Sequence, residues 1–110
     1  MSARAENLLA LCGATVRDGT VLVAQEGGEV VGVAVLRLGG GEAEILALVT
    51  EPNHRHHGVG ARLVAEMTRR ARVAGCRLLR VRLPRADDAT HTFFRALGFD
   101  DTHVALDLML

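Results

Sequence analysis

Arg55-His56-His57-Gly58-Val59-Gly60 is the stretch of this chain whose residue types and spacing can do chemistry. Apolar sequence precedes it and a segment with helical periodicity follows. Its glycines let the backbone approach a ligand closely and turn several N–H groups one way. With a helix dipole behind them, such groups make an anion site, and a diphosphate is the natural guest. The same spacing also serves as a plain strand-to-helix turn with glycines placed for packing. No Gly-Lys-Ser/Thr follows, so it is not a nucleotide P-loop, and it is not a dinucleotide GxGxxG either. His54, His56 and His57 cluster in sequence. Neighbouring loop residues rarely converge on one point, so no metal site is expected.

The elements that must position this loop follow from periodicity. Residues 3–17 carry one apolar stripe at helical spacing, through Leu8, Leu11, Cys12, Thr15 and Val16. Strands are predicted at 20–25, 30–38 and 43–50, separated by glycine turns. The second is apolar at nearly every position, so both of its faces should be covered. A helix opens in the Gly-rich stretch and runs to about Ala74, with Val59, Leu63, Met67, Arg70/Ala71 and Ala74 along one face. Gly75 is its natural stop. Residues 76–83 alternate as a strand with Arg80 and Arg82 on its charged face. Asp87 caps a short helix at 88–97. A last strand covers 102–109. The order α-β-β-β-α-β-α-β describes a mixed α/β domain with helices packed on a sheet.

Composition narrows the function classes. The 110 residues are 49% hydrophobic, enough for one domain over 1–110 and unlike a disordered chain. The 13 basic residues, all arginine, balance 13 acidic ones. That balance favours neither nucleic acid nor a membrane surface as partner. Cys12 and Cys76 are far apart, with no metal or disulfide spacing. No signal peptide or membrane-length apolar run is present, so a cytoplasmic, reduced protein is expected.

Several motifs, in order, then point to a family. The loop resembles Arg/Gln-x-x-Gly-x-Gly/Ala, the acyl-CoA-binding motif of the GNAT N-acetyltransferase superfamily. LALVTEPNHRHHGVGARL resembles that family's strand, proline turn, loop and helix, and VLVAQEGGEVVGVAVL its second and third strands. HTFFRALGF resembles its later Phe-Tyr-x-x-x-Gly-Phe motif. The likeness covers residues 44–99 and extends more loosely over 20–108.

The resemblance implies a GNAT-like α/β fold, acetyl-CoA as co-substrate, and direct attack on the thioester by a primary amine of a small molecule or peptide. It implies two splayed parallel strands with pantetheine bonded to the backbone of Leu48, Val49 and Thr50. N–H groups of His56, His57, Gly58, Val59, Gly60 and Ala61 would hold the pyrophosphate. Arg55 adds charge or stays structural. Glu44, eleven residues before Arg55, stands where histone-modifying members keep a catalytic glutamate. A carboxylate there can take a proton from an amine, or it is an exposed glutamate beside a turn. Glu42 is a second candidate nearer the turn.

The chain also departs from the family's pattern. Phe94 occupies the slot of a tyrosine that is often the general acid, and a phenyl ring donates no proton. The chain has no tyrosine at all. Asp87 replaces an asparagine that often reaches CoA, and reads equally as a helix cap. The domain looks N-terminally abbreviated. That would leave strand 20–25 as an apolar sheet edge and the acceptor cleft open, so a homodimer or partner is expected. Two other classes compete with the enzyme: a non-catalytic acyl-CoA-binding or regulatory module, and a partnered half-domain. His91 and His103 read as surface residues, and Cys76 as a small buried apolar one. The arginines at 69, 70, 72, 77, 80 and 82 read as a solvated face, or as an attraction for the 3′-phosphate of CoA.

Overall fold

The computed structural model describes residues 19–54, 58–83, 88–102 and 105–110. The helix expected at 3–17, Cys12, the loop residues Arg55, His56 and His57, the cap Asp87, and His103 lie outside the described residues.

Three strands open the described chain: β1 (Thr20–Glu26), β2 (Glu29–Leu38) and β3 (Glu42–Thr50). A 3₁₀ turn at Pro52–His54 leads to helix α1 (Val59–Val73). Then come β4 (Leu78–Val81), α2 (Asp88–Ala96), β5 (Asp100–Asp101) and β6 (Leu106–Met109). They form one six-stranded sheet in the order β1-β2-β3-β4-β6-β5. Every pairing is antiparallel except β3 with β4. A parallel pair needs a long crossover, and α1 supplies it.

Local chemistry sets the ends of these elements. Gly27 and Gly28 both take positive φ, 57° and 82°, which the tight β1–β2 hairpin requires. At the end of α1, Gly75 N–H donates to Arg72 O and Cys76 N–H donates to Ala71 O, with Gly75 at φ 82°. This is the Schellman stop expected of that glycine.

β2 is covered on both faces, as its apolar run predicts: Val30 through Leu36 are all buried. One face belongs to the main core. There Val31, Ala34 and Leu36 meet Ala43 and Ile45 of β3, Leu79 and Val81 of β4, Leu106, and both helices. α1 contributes Val59, Leu63, Val64, Met67 and Ala71; Phe94 of α2 and Phe99 after it complete the cluster. A smaller cluster of Val30, Val33, Val35 and Ala47 lies on the other face.

Three boundaries differ from the sequence expectation. β4 is shorter than 76–83, and Ala74 is exposed rather than part of the buried face of α1. Of the strand expected at 102–109, only β6, Leu106–Met109, is strand among the described residues. It pairs with the two-residue β5, which lies ahead of that segment, Asp100 facing Asp107. Two aspartates carry no strand periodicity, so nothing in the sequence marks them.

Gly32 decides how closely α1 sits. A Cβ there would lie 2.7 Å from Val59 Cγ1 and 3.0 Å from Leu63 Cδ1. Gly32→Ala should therefore lower stability by about 1–3 kcal/mol in urea titration. Gly40→Ala, where no atom lies within 4 Å of the new Cβ, should change it little. Equal stabilities for the two variants would contradict this seating of α1.

Candidate functional site

β3 and β4 run side by side only from Glu42 and Leu78 to Ile45 and Val81. Beyond Ile45, β3 continues to Thr50 while β4 has ended. A bulge lies at this point. Val35 of β2 faces Ala47 and Leu36 faces Ile45, so Leu46 is the extra residue. From Leu46 to Thr50, no described strand pairs with β3 on its outer side. Glu51 N–H donates to Val31 O at 2.8 Å. The alternation of a strand therefore turns the amide groups of Val49 towards β2, and those of Leu48 and Thr50 towards the gap.

The start of α1 stands at the open end of the gap. Gly58 precedes the helix at φ 76°, ψ 11° and offers no side-chain cap. No atom lies within 4 Å of where its Cβ would be. The left-handed backbone, not crowding, is what calls for glycine here. The first helical bond is Arg62 N–H to Gly58 O at 3.0 Å. The N–H groups of Val59, Gly60 and Ala61 precede it and have no helical acceptor. With the dipole of a 15-residue helix behind them, they favour an anion.

Gly60 is glycine for a different reason. Its φ is not positive. A Cβ there would lie 3.2 Å from Phe93 Cζ and 3.8 Å from Thr50 Oγ1. The absent side chain lets α2 close onto the first turn of α1 beside the end of β3.

The two phenylalanines of α2 divide their roles. Phe94 is 1% exposed and stacks edge-on against Phe93 and Phe99, at 5.0 Å and 5.1 Å between ring centres. Phe93, which the sequence reading passed over, is the half-buried ring that meets Gly60. Phe93 and Phe94 are adjacent, and an i, i+1 aromatic pair carries no signal of which ring turns inwards.

Glu44 lies on the sheet face opposite α1. Its strand neighbours Ala43 and Ile45 point into the main core, so Glu44 points away from it. Arg37 Nη2 donates to Glu44 Oε1 at 2.9 Å, and Arg82 Nε stands 3.6 Å from Oε2. Glu42, the second candidate, meets Arg77 at 3.5 Å and Arg80 at 3.7 Å. Arg80 also grips Asp107 with two bonds of 2.8 Å, and Asp107 is only 7% exposed. The hydrogen bonds it donates to Asp107 hold the Arg80 guanidinium well above its ordinary pKa, so Arg80 stays charged. A cavity of about 220 Å³ lies beside these groups, lined by Arg37, Gly39, Gly40, Glu42, Glu44 and Arg80.

The remaining polar candidates lie apart from the gap. Of the arginine run, Arg69 and Arg70 bind Glu66 on the outer face of α1. Hydrogen bonds from both hold its carboxyl down at about 2. Arg77, Arg80 and Arg82 instead belong to the Glu42 and Glu44 cluster. His91 is half-buried, with Nδ1 3.9 Å from Asp101. Cys76 is a buried free thiol, as expected. Among the described residues, no group of three or more His, Cys, Asp or Glu is placed to hold a metal. No helix there is long and apolar enough to cross a membrane.

Comparison with known proteins agrees with this geometry. An IAA acetyltransferase from Bacillus cereus superimposes with a TM-score of 0.86 at 20% identity, over 96% of this chain and 91% of that one. An acetyltransferase from Bacillus subtilis, solved in complex with CoA, gives 0.86 at 19% identity, over 100% and 93%. A GNAT family acetyltransferase from Elizabethkingia anophelis with acetyl-CoA bound gives 0.80 at 14%, over 100% and 84%. At these identities the likeness establishes the fold, a mixed α/β sheet of the GNAT type. No curated protein matches the chain. The family model for the acetyltransferase (GNAT) domain matches residues 17–101. On that match, which spans well over half of the sequence, the chain belongs to the GNAT N-acetyltransferase family.

Proposed function

We propose that residues 1–110 act as one domain that transfers an acetyl group from acetyl-CoA to a primary amine. The amine of a small molecule or peptide attacks the thioester directly within a ternary complex. The N–C bond forms, the C–S bond breaks, and CoA leaves as a thiolate. The observation that carries this reading is the pairing of two donor sets. The gap-facing amide groups of Leu48 and Thr50 suit pantetheine, and the N–H groups of Val59, Gly60 and Ala61 suit its pyrophosphate. Arg55, His56 and His57 would extend that cradle. The CoA-bound structures of similar fold support the donor.

A primary amine is mostly protonated near neutral pH and must lose that proton before it attacks. Glu44 is the carboxylate one residue short of the point where β3 and β4 part. We assign it to the acceptor ammonium, for which it must exchange the hold of Arg37. Phe94 has no proton to give, so water returns one to the departing thiolate. The buried free thiol of Cys76 suits a reducing, cytoplasmic setting.

A panel of primary amines, followed by release of the CoA thiol, tests the reaction. Turnover with at least one amine is expected, and Glu44→Gln should reduce kcat by roughly 10²–10⁴-fold if it is the base. Undiminished turnover in that variant removes Glu44 from the mechanism. Acetyl-CoA binding without turnover on any amine would favour a non-catalytic acyl-CoA module, a reading that the missing hydroxyl at Phe94 also suits.

β1 is the outermost described strand at one end of the sheet, and its Val23 is 45% exposed. We place a second copy of the chain along this edge, because an apolar open edge invites pairing. Light scattering at micromolar concentration should give about twice the monomer mass. A clean monomer contradicts the homodimer.

A further inference from the structure

We propose that the cavity beside Glu44 binds a small amino carboxylate, such as an α-amino acid, as the acceptor. Its ammonium would take Glu44 and its carboxylate would take Arg37, with Arg82 alongside. The assignment to an acceptor rests on the transferase reading above; the binding chemistry rests on the cavity itself.

Charge is the first argument. Arg37 and Arg82 stand against Glu44 in one set of ion pairs, and Arg77 and Arg80 against Glu42 and Asp107 in a second set beside it. Four positive groups against three negative ones disfavour a polycation such as a polyamine. They favour a ligand that brings an anionic group with its amine.

Unused hydrogen-bonding capacity is the second. Arg80 is committed to Asp107 by two bonds at the floor of the set. Arg37 gives Glu44 one bond through Nη2, and Arg82 reaches Glu44 only at 3.6 Å. Their side chains are 50% and 54% exposed. Each guanidinium has five donors in a planar fork suited to a carboxylate.

Geometry is the third. Arg37 Nη2 and Glu44 Oε1 are 2.9 Å apart, so opposite charges already stand side by side, as in a zwitterion. An incoming amino acid can exchange partners with this pair and leave no charge alone. A simple amine would take Glu44 and strip Arg37 of its partner. The pair is exposed on the Arg37 side, so its own hold is weak and exchange is cheap. At about 220 Å³, the cavity is smaller than the roughly 300–1,000 Å³ that encloses a drug-sized ligand.

The transfer itself would then help release the product. Acetylation forms the amide N–C bond as the thioester C–S bond breaks, and the ammonium proton passes through Glu44 to solvent. Glu44, again a carboxylate and without its partner, can return to Arg37.

Saturation-transfer NMR on the whole chain tests this without turnover. The probes are the protein amino acids, the amines formed by removing their carboxylates, and spermidine. Amino acids should bind at least about tenfold more tightly than their matched amines, and spermidine not at all. Arg37→Ala should remove most of that preference and Arg37→Lys should restore part of it, since it keeps the charge but not the fork. Arg37 is exposed, so both variants should melt as the parent does. Matched amines binding as tightly as amino acids, or an unchanged ratio in Arg37→Ala, overturns the proposal. Acetyl-CoA titrated into the same samples reads the donor site alone. Acetyl-CoA bound with no amino-acid preference defeats the pocket and spares the transferase. Amino acids bound without acetyl-CoA supports the pocket and defeats the transferase.

Discussion

The separation of β3 from β4 after Ile45 is the constraint on which the rest of the structure depends. The parallel ladder is four residue pairs long. It ends where the extra residue Leu46 breaks the register with β2. A strand interior that loses its neighbour leaves N–H and C=O groups needing partners, and Leu48 and Thr50 present theirs to the gap. The crossover between the two strands must be long, and its helix lands on one face with its N-terminus at the open end. The donors of β3 and those of α1 are therefore brought together by the topology, before any side chain is chosen.

The sheet then divides chemistry between its faces. The face under the helices is apolar, and it is packed closely enough that a Cβ at Gly32 would force Val59 to shift and one at Gly60 would crowd Phe93. Phe93, Gly60 and Thr50 join α2, α1 and β3 at one place. On the other face, the start of β3 together with β4 and β6 is charged, and the ion pairs there differ in kind. Arg80 and Asp107 are bidentate and poorly exposed. Removing either would leave the other charge uncompensated, the costly way to break such a pair. Arg37 and Arg82 are half in water, where pairs hold loosely. A rigid pair beneath exchangeable ones suits a surface that trades internal contacts for a ligand.

Much of this was legible in the sequence, because it depends on period and on backbone conformation. β1, β2, β3 and both described helices appear within a few residues of where apolar spacing places them. Gly75 ends α1 and Gly58 begins it for the reasons glycine usually does so. What stayed hidden depends on contacts between distant residues. The bulge at Leu46 leaves no mark, since Leu, Ala and Val continue on either side of it. Gly60 looked like a second backbone donor alone, and its contact with Phe93 needs α2 in place. Glu44 reads as a lone carboxylate in the sequence, because Arg37 reaches it from β2 and Arg82 from just past the end of β4. β5 is too short to have a period. Of the expected cradle, Arg55, His56 and His57 lie outside the described residues.

The central claim is that the open edge of β3 and the start of α1 together hold one acyl-CoA molecule. Amide hydrogen exchange, followed residue by residue with and without acetyl-CoA, tests it most directly. Bound donor should slow exchange at Leu48, Thr50, Val59, Gly60 and Ala61 together, and leave Val49, already bonded towards β2, nearly unchanged. Protection of α1 without β3, or no protection of either in a folded sample, would contradict the account.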